Sequence, residues 1–161
     1  MLFRSLRLVF YVDDCILLAS NFFATDHKDF LVHTLEDLGL AINYEKSRLV
    51  YSHSKEYLGF VIDSACDGGT PVLRVKKDRL RKLKRSLNRV RVLHSVTVRT
   101  LARIAGQCVS MRRAIIPGKL LLRNIYRALQ TRTSWDSLVP LDTSTLKDLD
   151  WWSHAIDSWN G

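Results

Sequence analysis

The chain has 161 residues and a mass of 18.6 kDa, enough for one ordinary domain or two small subdomains. Its hydrophobic fraction of 47% and charged fraction of 25% are those of a globular protein, and no apolar run approaches the roughly 18 residues that span a bilayer. A soluble intracellular protein, cytoplasmic or nuclear and without a membrane partner, is expected. Three scattered cysteines (Cys15, Cys66, Cys108) suggest neither a disulfide framework nor a structural zinc site, and the five histidines show no ligand spacing.

The net charge of +9 is unevenly spread. Residues 1–75 hold 7 Lys/Arg against 10 Asp/Glu, residues 76–132 hold 17 against the single Asp78, and residues 133–161 hold 1 against 5. A segment so basic repels itself in isolation, which points to a polyanionic partner, nucleic acid first. A solvated basic face is the competing reading. No Trp/Phe-rich face opposes the lysines, which argues against a membrane surface.

Met1 to Arg7 is too short and too interrupted by arginine to be a signal peptide. A strand-like run follows almost at once, so the chain is expected to begin inside something larger. Residues 7–20 are two apolar runs broken only by Asp13-Asp14, which predicts a hairpin whose strands are buried on both faces. Thr25 or Asp26 can cap a helix carrying Leu31, Leu35 and Leu38, with Gly39 closing it. Short strands are predicted over 41–44, 48–51, 57–63 and 72–75, with Asp67-Gly68-Gly69 as a turn. From Lys76 the period becomes helical: Leu80, Leu83, Leu87 and Val90 mark one helix, Val98, Leu101, Ala105 and Cys108 a second, and Leu121, Ile125 and Leu129 a third. Pro117-Gly118 separates the last two, and Leu146, Leu149 and Trp152 suggest a final helix. The fold class is α+β.

Adjacent carboxylates on a strand point to opposite faces, a constraint that loosens at a turn. There Asp13 and Asp14 form an anionic knob on a rigid base, a donor set suited to a hard cation such as Mg²⁺. Asp-Asp is also simply good turn chemistry.

The tetrapeptide Tyr11-Val12-Asp13-Asp14 resembles the YxDD signature of reverse transcriptases. Gly39-Leu40-Ala41-Ile42-Asn43-Tyr44-Glu45-Lys46-Ser47 resembles the family's next motif, Tyr57-Leu58-Gly59-Phe60 its primer grip, and the basic helices its thumb, in the family's order. The downstream text is most similar to retrotransposon enzymes of the DIRS type, with gypsy-type elements as broader relatives. The resemblance implies the C-terminal part of a polymerase palm over 1–75, an all-helical thumb over 76–132, and a connection over 133–161 leading toward a ribonuclease H-like region.

It implies further that Asp13 and Asp14 ligate Mg²⁺ (or Mn²⁺), that Tyr11 lies near the primer end, and that Lys46 protonates departing pyrophosphate. Gly59 would let backbone approach the primer. A packed strand tyrosine, a solvated loop lysine and a plain core strand at Leu58 and Phe60 are the alternatives at these positions. The implied partners are a primer–template and deoxynucleotides.

Lys76, Lys77, Arg79, Arg81, Lys82, Lys84 and Arg85 go all round a helix, so not all of them can touch one duplex. Phosphate contacts without base readout are expected, chiefly from Lys76, Lys77, Arg81, Lys84 and Arg85. The family's third aspartate and nucleotide-holding helix lie upstream of its YxDD turn, and only 12 residues precede Asp13. The chain alone is therefore expected not to polymerise and to expose apolar surface, as a gene relic, a partial gene model or one piece of a split enzyme whose partner is an upstream palm and fingers polypeptide. A non-catalytic nucleic-acid-binding protein derived from a retroelement is the alternative.

Overall fold

The computed structural model describes residues 6–65, 70–130 and 134–161. The expected turn at Asp67-Gly68-Gly69 lies outside the described residues. The chain is α+β, with five α-helices and three small antiparallel sheets among the described residues, and it divides into two compact units, Met1–His53 and Ser54–Gly161.

In the first unit, β1 (Arg7–Tyr11) and β2 (Asp14–Leu18) pair antiparallel with Tyr11 opposite Asp14, so Val12-Asp13 is a two-residue loop. The strands are not buried on both faces as their composition predicts. None of their residues is buried, and Val9, Phe10 and Leu18 are exposed, because no layer among the described residues of this unit covers the hairpin. Helix α1 (Ala24–Asp37) ends in a Schellman motif: Gly39, at φ 78°, donates to the Glu36 carbonyl, and Leu40 donates to that of Leu35. His27 is the one buried residue among those described here.

The segments 41–44 and 48–51 are not strands. Asn43 instead turns the chain, its carbonyl and side-chain oxygen both accepting from the Lys46 amide, and this local bonding displaces any ladder.

The second unit opens with the sheet β3 (Ser54–Tyr57), β4 (Phe60–Asp63), β5 (Val72–Val75), in that order. The predicted single strand over 57–63 is broken at Leu58-Gly59. Around the sheet's end pack α2 (Lys77–Arg91), α3 (Val98–Met111), α4 (Arg123–Gln130) and α5 (Thr143–His154), in contact through one apolar core. The helical periodicity read from the sequence is the buried face: Leu80, Leu83, Leu87 and Val90 on α2, and Val98, Leu101, Ala105 and Cys108 on α3.

Trp152 is fully buried and donates its indole N–H to the Leu121 carbonyl at 3.0 Å. Its ring lies where a Cβ on Gly118 would stand, 2.5 Å away, which explains glycine after Pro117 in the 3₁₀ segment Ile116–Leu122. Asp148, also buried, receives the Asn124 amide and side chain, each at 3.0 Å, and so satisfies the start of α4 from a neighbouring helix.

Two features of this unit lack a sequence-level forecast. A two-stranded ribbon, β6 (Ser95–Thr97) with β7 (Leu138–Pro140), sits among the helices and buries Val96 opposite Val139, so the region 76–132 is not wholly helical. The Asn160 side chain also clasps the outer edge of β5: it accepts from the Val75 amide at 2.6 Å and donates to the Val75 carbonyl at 3.3 Å.

Candidate functional site

The acidic turn is a hairpin tip. Val12, 84% exposed, has φ 53°, a left-handed conformation that a β-branched residue rarely adopts. Asp13 follows in the loop and Asp14 opens β2, both exposed. Tyr11 is 60% exposed, so it is not a packed strand tyrosine.

Two neighbouring carboxylates on a short, fixed loop suit Mg²⁺, which takes oxygen ligands and keeps several waters or phosphate oxygens in its shell. They are a partial donor set: no group of three or more Asp, Glu, His or Cys able to hold a metal occurs among the described residues. Lys46 is exposed in the turn after Asn43, and its ammonium makes no ion pair among the described residues.

In the second unit, Tyr57-Leu58-Gly59-Phe60 closes the β3–β4 hairpin, with Tyr57 opposite Phe60. Leu58 at φ 49° and Gly59 at φ 78° give the two positive φ values of a type I′ turn. Leu58 is 41% exposed at the tip and is not part of a core strand. The side of Gly59 that a Cβ would occupy is filled by Arg79, whose Nη1 would lie 2.4 Å from it. Arg79 donates from Nη1 to the Gly59 carbonyl at 3.2 Å and from Nη2 to Ser110 Oγ at 2.8 Å, and its guanidinium carbon lies 5.5 Å from the centre of the Phe60 ring. The sequence marks Arg79 as one cation among many. Nothing in its spacing distinguishes it from the rest.

The basic helix sorts its charges by direction. Lys76 pairs with Glu56 at 2.8 Å, Lys84 with Asp157 and Arg91 with Asp150, so these three are tethered to acids of their own unit. Of the expected contacts, Lys76 and Lys84 thus meet acids of their own unit, while Lys77, Arg81 and Arg85 face solvent together with Lys82 and Arg89. Arg81 pairs with Asp78 at 3.3 Å, with both side chains about two-thirds exposed, a pair of little energetic consequence. Lys77, Arg81, Arg85 and Arg89 recur every fourth residue, so they form one exposed stripe that turns slowly about the helix. Arg89 extends the set expected from the sequence.

Against models of known protein families and against curated proteins, the chain finds no match.

Proposed function

We propose that this chain is a portion of an RNA-directed DNA polymerase of a retrotransposon, supplying the YxDD turn and the surface that grips a primer–template. The observation that carries the reading is the placement of Tyr11-Val12-Asp13-Asp14 at the exposed tip of a tight antiparallel hairpin. Asp13 and Asp14 would hold Mg²⁺ or Mn²⁺, which when bound activates the attacking 3′-hydroxyl and steadies the leaving pyrophosphate. In this reading residues 1–75 are palm. Lys46 carries the proton for the departing pyrophosphate of the deoxynucleotide, a role suited to an exposed cation held in no ion pair among the described residues. In the second unit, the Tyr57–Phe60 turn meets the primer and the α2 stripe follows phosphates as a thumb.

Two carboxylates place no nucleotide unaided, so these 161 residues by themselves are expected not to polymerise. The test measures Mn²⁺ binding by electron paramagnetic resonance, and primer extension on a primed RNA template, for the wild type and for D13N/D14N. Weak Mn²⁺ binding that is lost in D13N/D14N, with no extension by either, is the expected pattern. Wild-type Mn²⁺ binding equal to that of the variant removes the metal reading, and extension by the chain alone removes the partial-enzyme reading.

A second reading is a non-catalytic nucleic-acid-binding protein of retroelement origin. It is favoured by the fact that the cation stripe belongs to a compact unit containing neither Asp13 nor Asp14. Unchanged behaviour of D13N/D14N in every assay selects it.

A further inference from the structure

Arg79 is a half-buried cation of α2 with no carboxylate partner among the described residues. A guanidinium taken partly out of water is ordinarily matched by an anion. Here its donors go to neutral oxygens on two other elements, the Gly59 carbonyl in the β3–β4 turn and Ser110 Oγ on α3, while its guanidinium carbon lies over the Phe60 ring, 5.5 Å from the centroid. Ser110 is in turn fixed by donating to the Gln107 carbonyl at 2.7 Å.

We propose that Arg79 is a positioning residue that sets the pose of the Tyr57–Phe60 turn toward nucleic acid. This role rests on the reading in which that turn meets the primer. A type I′ turn at the end of a four-residue hairpin is free to rock unless something outside the hairpin holds it. The backbone supplies one such tie, from the Lys76 amide to the Gly59 carbonyl, and at 3.4 Å it is long. Arg79 supplies the shorter and charge-assisted tie to the same oxygen.

Its fork spans Gly59 and Ser110 at once, so the turn is referred to α3 as well as to α2. Glycine at position 59 follows from this arrangement as much as from its positive φ. A methyl group there would displace the guanidinium. Lysine keeps the charge of Arg79 but lacks the planar fork that reaches both oxygens from beside Phe60.

The experiment compares the full chain with R79K and S110A. Amide hydrogen exchange at Lys76, whose N–H is bonded to Gly59, reports the turn, and exchange at Ile104 and Ala105 in α3 reports the fold. In parallel, primer–template affinity is measured across a salt series. In R79K the Lys76 amide is expected to exchange about tenfold faster with Ile104 and Ala105 unchanged, the loss of one charged hydrogen bond. Primer–template binding is expected to weaken by a similar factor while its dependence on salt keeps the same slope. S110A, which leaves Arg79 in place and alters an exposed side chain, is expected to move both readouts the same way by less.

Unchanged exchange at Lys76 in R79K overturns the proposal. So does a salt slope shallower by about 0.9 in a third variant, R79Q, which unlike R79K removes the charge, since that marks Arg79 as a phosphate ligand. If the wild-type chain binds no primer–template at any salt, the nucleic-acid reading fails and the positioning role falls with it. The exchange arm then still reports separately whether Arg79 holds the turn.

Discussion

Neutralising the exposed stripe with K77Q/R81Q/R85Q/R89Q should flatten the salt dependence of nucleic-acid binding, and the structure sets the size of the effect. At a rise of about 1.5 Å per residue, the four positions lie about 6 Å apart over about 18 Å, a length covering about five nucleotides of one strand. Each four-residue step also rotates about 40° around the helix, so between two and four of the cations can face one backbone together. Each phosphate contact contributes about 0.9 to the slope of log K against log salt, so the variant should be shallower by about 1.8 to 3.6.

The control removes the tethered cations together with their acids, K84Q/D157N and R91Q/D150N, which leaves net charge unchanged. Because Lys84 and Arg91 are already answered by Asp157 and Asp150, these swaps should leave the slope as it was. Fluorescence anisotropy with a labelled primer–template duplex, titrated at five or so salt concentrations, measures both. An unchanged slope in the stripe variant refutes the stripe as the phosphate-facing surface. An equal flattening in the paired swaps refutes the division of α2 into tethered and free cations.

Two further outcomes concern stability of the second unit. Asp142 caps α5 by accepting the Thr145 amide at 2.7 Å, and bonds from Thr145 hold its carboxyl below the usual aspartate range. D142A should therefore cost about 1 kcal/mol in urea unfolding near neutral pH. A depressed folded-state pKa gives stability that is present above the unfolded value and fades as pH falls through the folded one, so wild type and D142A should converge in strong acid. A difference that persists unchanged down the pH series contradicts this account. For Trp152, W152F leaves the Leu121 carbonyl without its donor in a buried site and should cost about 1–3 kcal/mol, while W152A should cost about 3–5 kcal/mol. A neutral W152F in the same assay would show that the indole hydrogen bond contributes nothing.

What was legible in the sequence follows the range of the forces involved. The helices of the second unit were readable because a 3.6-residue period of leucines records burial directly, and Leu83, Leu87, Leu101 and Ile125 are all fully buried. The hairpin was readable from its two apolar runs, although its loop is Val12-Asp13, one residue before the pair of acids, and the Gly39 helix stop was readable because turn chemistry is local. Strands at 41–44 and 48–51 were misread because short apolar stretches carry β-propensity without a partner, and Asn43 bonds its own neighbours instead. The β6–β7 ribbon was invisible because its two three-residue halves lie far apart in sequence. At the candidate site, the sequence announced the cations but not their division. Whether Lys84 meets a phosphate or Asp157 is decided by how α5 packs on α2, and no residue spacing encodes that.

The Asn160 clasp on Val75 bears on how the second unit comes apart. An edge strand ordinarily frays, its outward amides opening to water without disturbing the rest. At β5 the outward amide and carbonyl of Val75 are closed by a side chain 85 positions away, while Val75 itself stands opposite Phe60 beside the Leu58-Gly59 turn. The edge of the sheet therefore takes its protection from the residues that follow α5. Exchange at Val75 should track opening of the helical packing, making the sheet and the helices one cooperative body.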